Sequence, residues 1–327
     1  MLTRPQTQRY SAEAGLGNIM IAEKEVVLTY LLQLMEDRDI LERLAFKGGT
    51  CLRKMFVGSA GRFSTDLDFT RIKEHDHEDV VLAMMEAFES PFHDIQFSIP
   101  DDGYYETRDG LSWGVNPSYA HEWNPSGESE IRIQISRREI PTLPPTSISQ
   151  CQQSYFRHLP FEPADITCMA LPEILAEKLR ACYQRSKARD IYDLATFATR
   201  PIDRPLVRRL VVLKLWQAGD AFEPEVLLAK FEGANAFDWE DLRQLVRRTQ
   251  AIDPVEITAA CLSGFAFLKD LSSQERVLAA DRFRRERGLW SRLSEEIVVD
   301  NAQGPPTGFG RALVRPVPQS SGQRRLG

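Results

Sequence analysis

The chain has 327 residues, enough for two domains, and its 43% hydrophobic and 27% charged side chains are the balance of an ordinary soluble globular protein. A formal net charge of -6 excludes a protein that coats nucleic acid through an overall positive field and leaves room only for a local basic patch. No stretch approaches the roughly 20 apolar residues that cross a bilayer, the N-terminus has no secretion-signal pattern, and Cys51, Cys151, Cys168, Cys182 and Cys261 lack C-x-x-C spacing. A cytoplasmic protein with buried free thiols, no membrane association and neither a disulfide framework nor a zinc site is therefore expected.

Val27, Leu31, Leu34 and Met35 recur at helical spacing and predict an amphipathic helix over about Ala12 to Met35. Leu44 to Phe46 predict a short strand, Gly48-Gly49 a turn, Thr50 to Phe56 a helix that starts at the glycines, and Leu67 to Thr70 a second strand. A helix from about His77 to Phe88 follows, then strands at His93 to Ile99, Tyr104 to Trp113 and Glu130 to Ser136, which together make a mixed α/β unit. The run Pro141-Thr142-Leu143-Pro144-Pro145 cannot continue a central strand, because proline lacks the amide donor, so the sheet is expected to end there. From Leu171 the period becomes helical, with Pro172 in a first turn and Ile174, Leu175, Leu179 and Cys182 behind it. Further helices are predicted at Arg189 to Ala198, Arg204 to Gln217, Pro224 to Phe231, Trp239 to Thr249, Pro254 to Leu268 and Ser273 to Arg285. The expected organisation is an α/β (α+β) domain over 1–165, a helical domain over 166–300, and a disordered Gly-, Pro-, Ser- and Arg-rich tail over 301–327.

Two stretches carry the chemistry. Phe46-Lys47-Gly48-Gly49-Thr50-Cys51-Leu52-Arg53 contains a glycine turn that lets backbone approach a phosphate, and its helix start offers N–H groups to the same anion. Arg62-Phe63-Ser64-Thr65-Asp66-Leu67-Asp68-Phe69 puts two carboxylates on one face of a strand, the arrangement that suits magnesium ions clamping a triphosphate, while Arg62 and Ser64 can hydrogen-bond that ligand. Leu67 between them should point into the core. A second constellation runs from Glu177-Lys178-Leu179-Arg180-Ala181 to Arg189-Asp190-Ile191-Tyr192-Asp193. Lys178 can meet a phosphate and Asp193 can orient a base, hydroxyl or metal, whereas standing alone the same residues would read as a solvated charged face.

In this order the stretches resemble the AbiEii/AbiGii toxin family, nucleotidyltransferase-like proteins of the DNA polymerase β superfamily from type IV toxin-antitoxin and abortive-infection (phage defence) systems. The likeness begins with Glu23-Lys24-Glu25 and runs to Arg189-Asp190-Ile191-Tyr192-Asp193-Leu194. It implies an N-terminal nucleotidyltransferase fold with a mixed sheet and a helical domain that completes the active site. Gly48, Gly49 and Thr50 would form the nucleotide-binding turn, with Arg53, Arg62 and Ser64 beside it; Asp66 and Asp68 would bind metal, Lys178 the triphosphate, and Asp193 would act in catalysis. Many superfamily members place a third metal-binding carboxylate on a central strand; here Glu130 is the acidic candidate, with Arg132 or Gln134 on the same face, and Asp193 is the favoured base.

The activity implied is transfer of an NMP from an NTP, with two Mg2+ ions, to the 3′ end of a tRNA or to a protein side chain. The partner implied is an AbiEi-like antitoxin encoded alongside, often with a winged-helix region. Transfer to a small molecule and a non-enzymatic nucleotide-binding role stay open on the residues alone. His75 and His77 flank Asp76 in an expected acidic turn. Arg208-Arg209, Arg247-Arg248 and the run Arg282, Arg284, Arg285 and Arg287 read as solvated faces, one of which could take an RNA backbone. Trp216, Trp239 and Trp290 read as core or interface anchors.

Overall fold

A computed structural model describes residues 1–73 and 77–302. The chain starts with α1 (Arg4–Glu13) and α2 (Ile19–Asp37), so the single helix expected from Ala12 is two. The break follows from Gly15, whose φ of +69° leaves the helical region, and from Asn18, whose side chain caps α2 at Met20 N–H. Val26, Val27, Leu28, Tyr30, Leu31 and Leu32 are all buried, which makes α2 a core helix rather than an amphipathic one.

Next come β1 (Leu44–Lys47), α3 (Gly48–Cys51), a π-helical turn over Leu52–Val57, β2 (Asp66–Arg71) and α4 (His77–Ala87). They are followed by β3 (Gln96–Ser98), β4 (Tyr104–Glu106), β5 (Ser112–Val115), β6 (Ser118–His121), β7 (Asn124–Glu130) and β8 (Arg132–Ser136). The one strand expected over Tyr104 to Trp113 is a hairpin, since Gly110 turns the chain at φ +66° and Asp109 accepts the Leu111 N–H at 3.0 Å. Two short strands, β9 (Thr146–Ile148) and β10 (Ile166–Cys168), then return to the sheet. The prolines therefore make a loop without ending the sheet, and β10, just past the expected boundary at 165, pairs parallel with β1 through Phe46 and Cys168.

The sheet order is β4-β5-β8-β2-β1-β10-β9, with a separate three-stranded sheet β3-β6-β7. The fold is mixed α/β, and β2 lies at the centre of the larger sheet, antiparallel to β1 and parallel to β8. The helical half follows as α5 (Leu171–Gln184), α6 (Ala188–Ala198), α7 (Arg204–Ala218), α8 (Pro224–Glu232), α9 (Glu240–Arg243), α10 (Pro254–Gly264), α11 (Ser273–Ala280) and α12 (Arg287–Ala302). The helix expected over Trp239 to Thr249 shrinks to α9, and α11 stops before Arg285. α12 runs past the expected start of the tail at 301; the remainder of that tail, and His75 with Asp76, lie outside the described residues. No helix among the described residues is long and apolar enough to cross a membrane.

Candidate active site

Strand alternation places the central carboxylates. On β2, Leu67 and Phe69 are buried in the core, so Asp66 and Asp68 project from the opposite face into a cleft between the sheet and α5 and α6. The cleft has a volume of about 340 Å³ and is lined by Lys47, Gly48, Gly49, Arg62, Ser64, Asp66, Asp68, Arg132, Glu177, Lys178, Arg185, Arg189 and Asp190, among others. Eight of its lining side chains are basic and four are acidic, the reverse of the balance of the whole chain. Such a wall favours a polyanion beside the two carboxylates of β2.

Neither Asp66 nor Asp68 takes part in an ion pair among the described residues. Burial pushes the Asp68 carboxyl above its ordinary range against the pull of Lys47, and the neighbouring charge of Asp66 adds to the rise. Because the folded state then binds the proton more tightly than the unfolded chain, ionised Asp68 costs stability above its raised pKa, and that cost disappears as the pH falls below the unfolded value. Asp68→Asn is therefore expected to melt above the wild type at pH 7 to 8 without added metal, with the difference vanishing near about pH 4 in a thermal-denaturation series.

The glycines make room for the charged groups. Gly48 has a φ of +78°, and a Cβ there would overlap Asp68 Oδ2; a Cβ on Gly49 would overlap the Arg62 guanidinium. Gly48→Ala is expected to cost about 1–3 kcal/mol of stability and, by displacing Asp68, most of the activity, as thermal melting and a transfer assay would read.

The cations are held by neighbouring acids, of which Glu177 and Asp190 line the cleft themselves and Asp193 lies behind it. Lys47 Nζ, register partner of Asp68, donates to Glu177 at 3.1 and 3.2 Å. Arg62 forms a two-pronged pair with Asp193, both bonds 2.8 Å, and Lys178 bridges Asp190 at 3.0 Å and Asp193 at 2.9 Å. Burial would lower the Lys178 pKa, but Asp193 and Asp190 outweigh it and keep the ammonium charged. Burial would likewise raise the Asp190 carboxyl, yet Lys178 and Arg185 hold it well below the carboxylate range. A second tier sits deeper: Lys214 lies within 2.9 Å of Glu173, 3.1 Å of Glu139 and 3.6 Å of Glu177, although it is aligned for a hydrogen bond with none of them.

Most of the sequence-predicted residues come together here: Gly48, Gly49, Arg62, Ser64, Asp66, Asp68 and Lys178 all line the cleft. Three do not. The Thr50 hydroxyl is buried and donates to the Asp66 carbonyl, so it fixes β2 rather than facing a nucleotide. Arg53 is buried on the far side, bonded to Glu25 at 3.2 Å and the Gly61 carbonyl at 2.7 Å, with its guanidinium 3.7 Å from the Phe63 ring centroid. It is a structural residue that shares Glu25 with Lys54. Asp193 stands behind Arg62 and Lys178 with both oxygens engaged, which suits orienting those cations and not serving as base.

Glu130 ends β7 and pairs with Ser118 in the small sheet; β8 begins after it, and Glu130 is not among the residues that line the cleft. The residues registered beside Asp66 and Asp68 are Arg132 and Gln134. Arg132 is held by the Tyr105 hydroxyl at 3.1 Å and by Gln134 Oε1 at 2.7 Å. Arg185 and Arg189, read from the sequence only as part of the charged constellation, line the cleft as well, and Arg132, which alternation put on the face expected of a third carboxylate, lies opposite Asp66.

The comparisons with known proteins agree with this geometry. Residues 30–301 match the family described as "Nucleotidyl transferase AbiEii toxin, Type IV TA system". Among solved structures, MenT4, a nucleotidyltransferase toxin from Mycobacterium tuberculosis H37Rv, superposes with a TM-score of 0.77 at 28% sequence identity, covering 91% of this chain and 100% of that one. No curated protein sequence matches. A family match over most of the chain and a shared fold lead to one conclusion: this protein belongs to the AbiEii family of nucleotidyltransferase toxins of type IV toxin-antitoxin systems.

Proposed function

We propose that the cleft binds an NTP with a divalent cation and transfers its NMP to the 3′ end of a tRNA. The observation that carries the reading is the unpaired Asp66 and Asp68 pair set among cations that are themselves fixed by buried acids. The donor set fits magnesium: two carboxylates offer oxygen ligands, and the rest of the shell is left to phosphates and water. When bound, the cation neutralises charge on the triphosphate and polarises the α-phosphate.

The protein's own residues then divide the work. Lys47, Arg62 and Lys178 neutralise the phosphates, and their buried partners hold them still, so little reorganisation is needed as charge moves toward the leaving group. Asp193, Asp190 and Glu177 are positioning residues. A bond forms between the acceptor oxygen and the α-phosphorus, the bond to the bridging oxygen of pyrophosphate breaks, and the acceptor proton is released. Arg132 fills the place of a third carboxylate and puts a donor where the acceptor enters. Binding by the AbiEi-like antitoxin encoded alongside would restrain the activity.

Incubating the protein and magnesium with unfractionated tRNA and each NTP labelled at the α-phosphate tests the reading. Label is expected on tRNA from one or two of the four NTPs and not when the label is on the γ-phosphate. Label on a protein or small molecule with none on tRNA would replace the acceptor, and no label on any acceptor despite NTP binding would leave a nucleotide-binding protein.

A further inference from the structure

The basic clusters on the helical half differ in how they are used. Arg208 is paired with Glu275 at 3.0 Å and Arg209 with Glu296 at 2.8 Å, while Arg247 and Arg248 donate to the carbonyls of Ser59 and Gly17. The loop from Asp281 to Arg287 is the exception. Arg282, Arg285 and Arg287 are exposed and form no ion pair among the described residues, and between them Phe283 is 74% exposed, with the Arg285 guanidinium 5.1 Å from its ring centroid.

A large aromatic left in water is costly unless something covers it, and this one is built in place. The Asp281 carboxylate accepts from Trp216 Nε1 at 2.9 Å and from the Glu286 N–H at 2.8 Å; Trp216 stacks on Trp290 at 5.7 Å; and Arg284, at a φ of +54°, ties the turn to the Gln217 carbonyl at 3.3 Å. The Asp281 carboxylate is thereby spent on structure, and Arg282, Arg285 and Arg287 are left outward with one exposed acid, Glu286, among them.

The loop is linked to the cleft rim through the end of α7 by two hydrogen bonds. Gln184, on the cleft rim, donates to Asp220 at 2.6 Å, and Asp220 follows Gly219 and Gln217, the residues against which Arg284 packs.

We infer that the loop Arg282–Arg287 is a docking surface for the single-stranded part of an RNA acceptor, the arginines taking phosphates and Phe283 stacking on a base. This rests on the proposed RNA acceptor. An acidic protein surface is the competing occupant, and the measurements below separate the two.

The test uses the full-length protein and fluorescein-labelled unfractionated tRNA, followed by anisotropy at several salt concentrations. The triple variant R282S/R285S/R287S is expected to bind at least about tenfold more weakly near 50 mM salt, with the log–log salt slope smaller in magnitude by about 2. F283A is expected to bind severalfold more weakly with an unchanged slope, because stacking releases no counterions. Melting temperature and its rise on adding NTP and magnesium should match the wild type in both variants, since these residues are outside the cleft lining.

Unchanged RNA affinity in the triple variant overturns the docking surface, and wild-type label transfer to tRNA would then still uphold the acceptor. Retained RNA affinity with lost affinity for the protein encoded alongside would reassign the loop to that protein. Absence of RNA binding by the wild type would overturn both the loop and the acceptor.

Discussion

Asp66→Asn and Asp68→Asn are each expected to lower magnesium-dependent nucleotidyl transfer by about 10³-fold or more, roughly 4 kcal/mol of transition-state stabilisation, without lowering the melting temperature. The two halves of this result come from one feature. Among the described residues neither carboxylate is paired, and Asp68 is raised by burial and by Asp66, so the folded protein gains nothing from their charges. On the proposed reading their value is realised when a cation and a triphosphate enter. Kinetics with labelled NTP and differential scanning calorimetry on the same preparations would check it; a large fall in stability would instead make the pair structural.

The opposite behaviour is expected of Lys214. Lys214→Met removes the one ammonium shared by Glu139, Glu173 and Glu177, and should cost about 3–5 kcal/mol, because breaking a buried ionic cluster leaves unpaired charge in a low-dielectric site. Burial alone would raise the Glu177 carboxyl, but Lys47, Lys214 and Arg180 together hold it well below the usual range. A depressed carboxylate contributes stability above its unfolded pKa and loses it as the pH falls toward the folded one, so the gap between variant and wild type should narrow below about pH 4. Chemical denaturation at several pH values reads this directly. Glu177 also holds Lys47, and Glu173 accepts the Thr142 and Leu143 N–H groups at 2.8 and 3.0 Å, so the damage should reach both the cleft and the proline loop.

What could be read from the residues follows the range of the interactions. Asp66, Leu67 and Asp68 alternate on a strand of period 2, and that period alone assigns them to opposite faces, as β2 shows. The Gly48-Gly49 turn is equally local. Arg53 is four residues past Gly49 and looks like part of the same phosphate turn, but its partner Glu25 is 28 residues away, and a π-helical turn buries Arg53, Lys54 and Met55 together. The partner of Asp193 is Arg62, 131 positions earlier, and no spacing rule connects them. β9 and β10 are three residues each, too short for alternation to stand out, so the sheet was expected to end at the prolines. Alternation put Arg132 on the face expected of a third carboxylate, and the parallel register of β8 with β2 then sets it opposite Asp66.

The most direct test of a nucleotide and metal site at Asp66 and Asp68 is a crystal of the protein soaked with manganese and a non-hydrolysable NTP analogue, measured for anomalous scattering. A peak within about 2.3 Å of carboxylate oxygens from both Asp66 and Asp68, with the triphosphate against Lys47, Arg62 and Lys178, is expected. A bound triphosphate elsewhere in the molecule, or one in the cleft with no metal at the pair under saturating manganese, would contradict it.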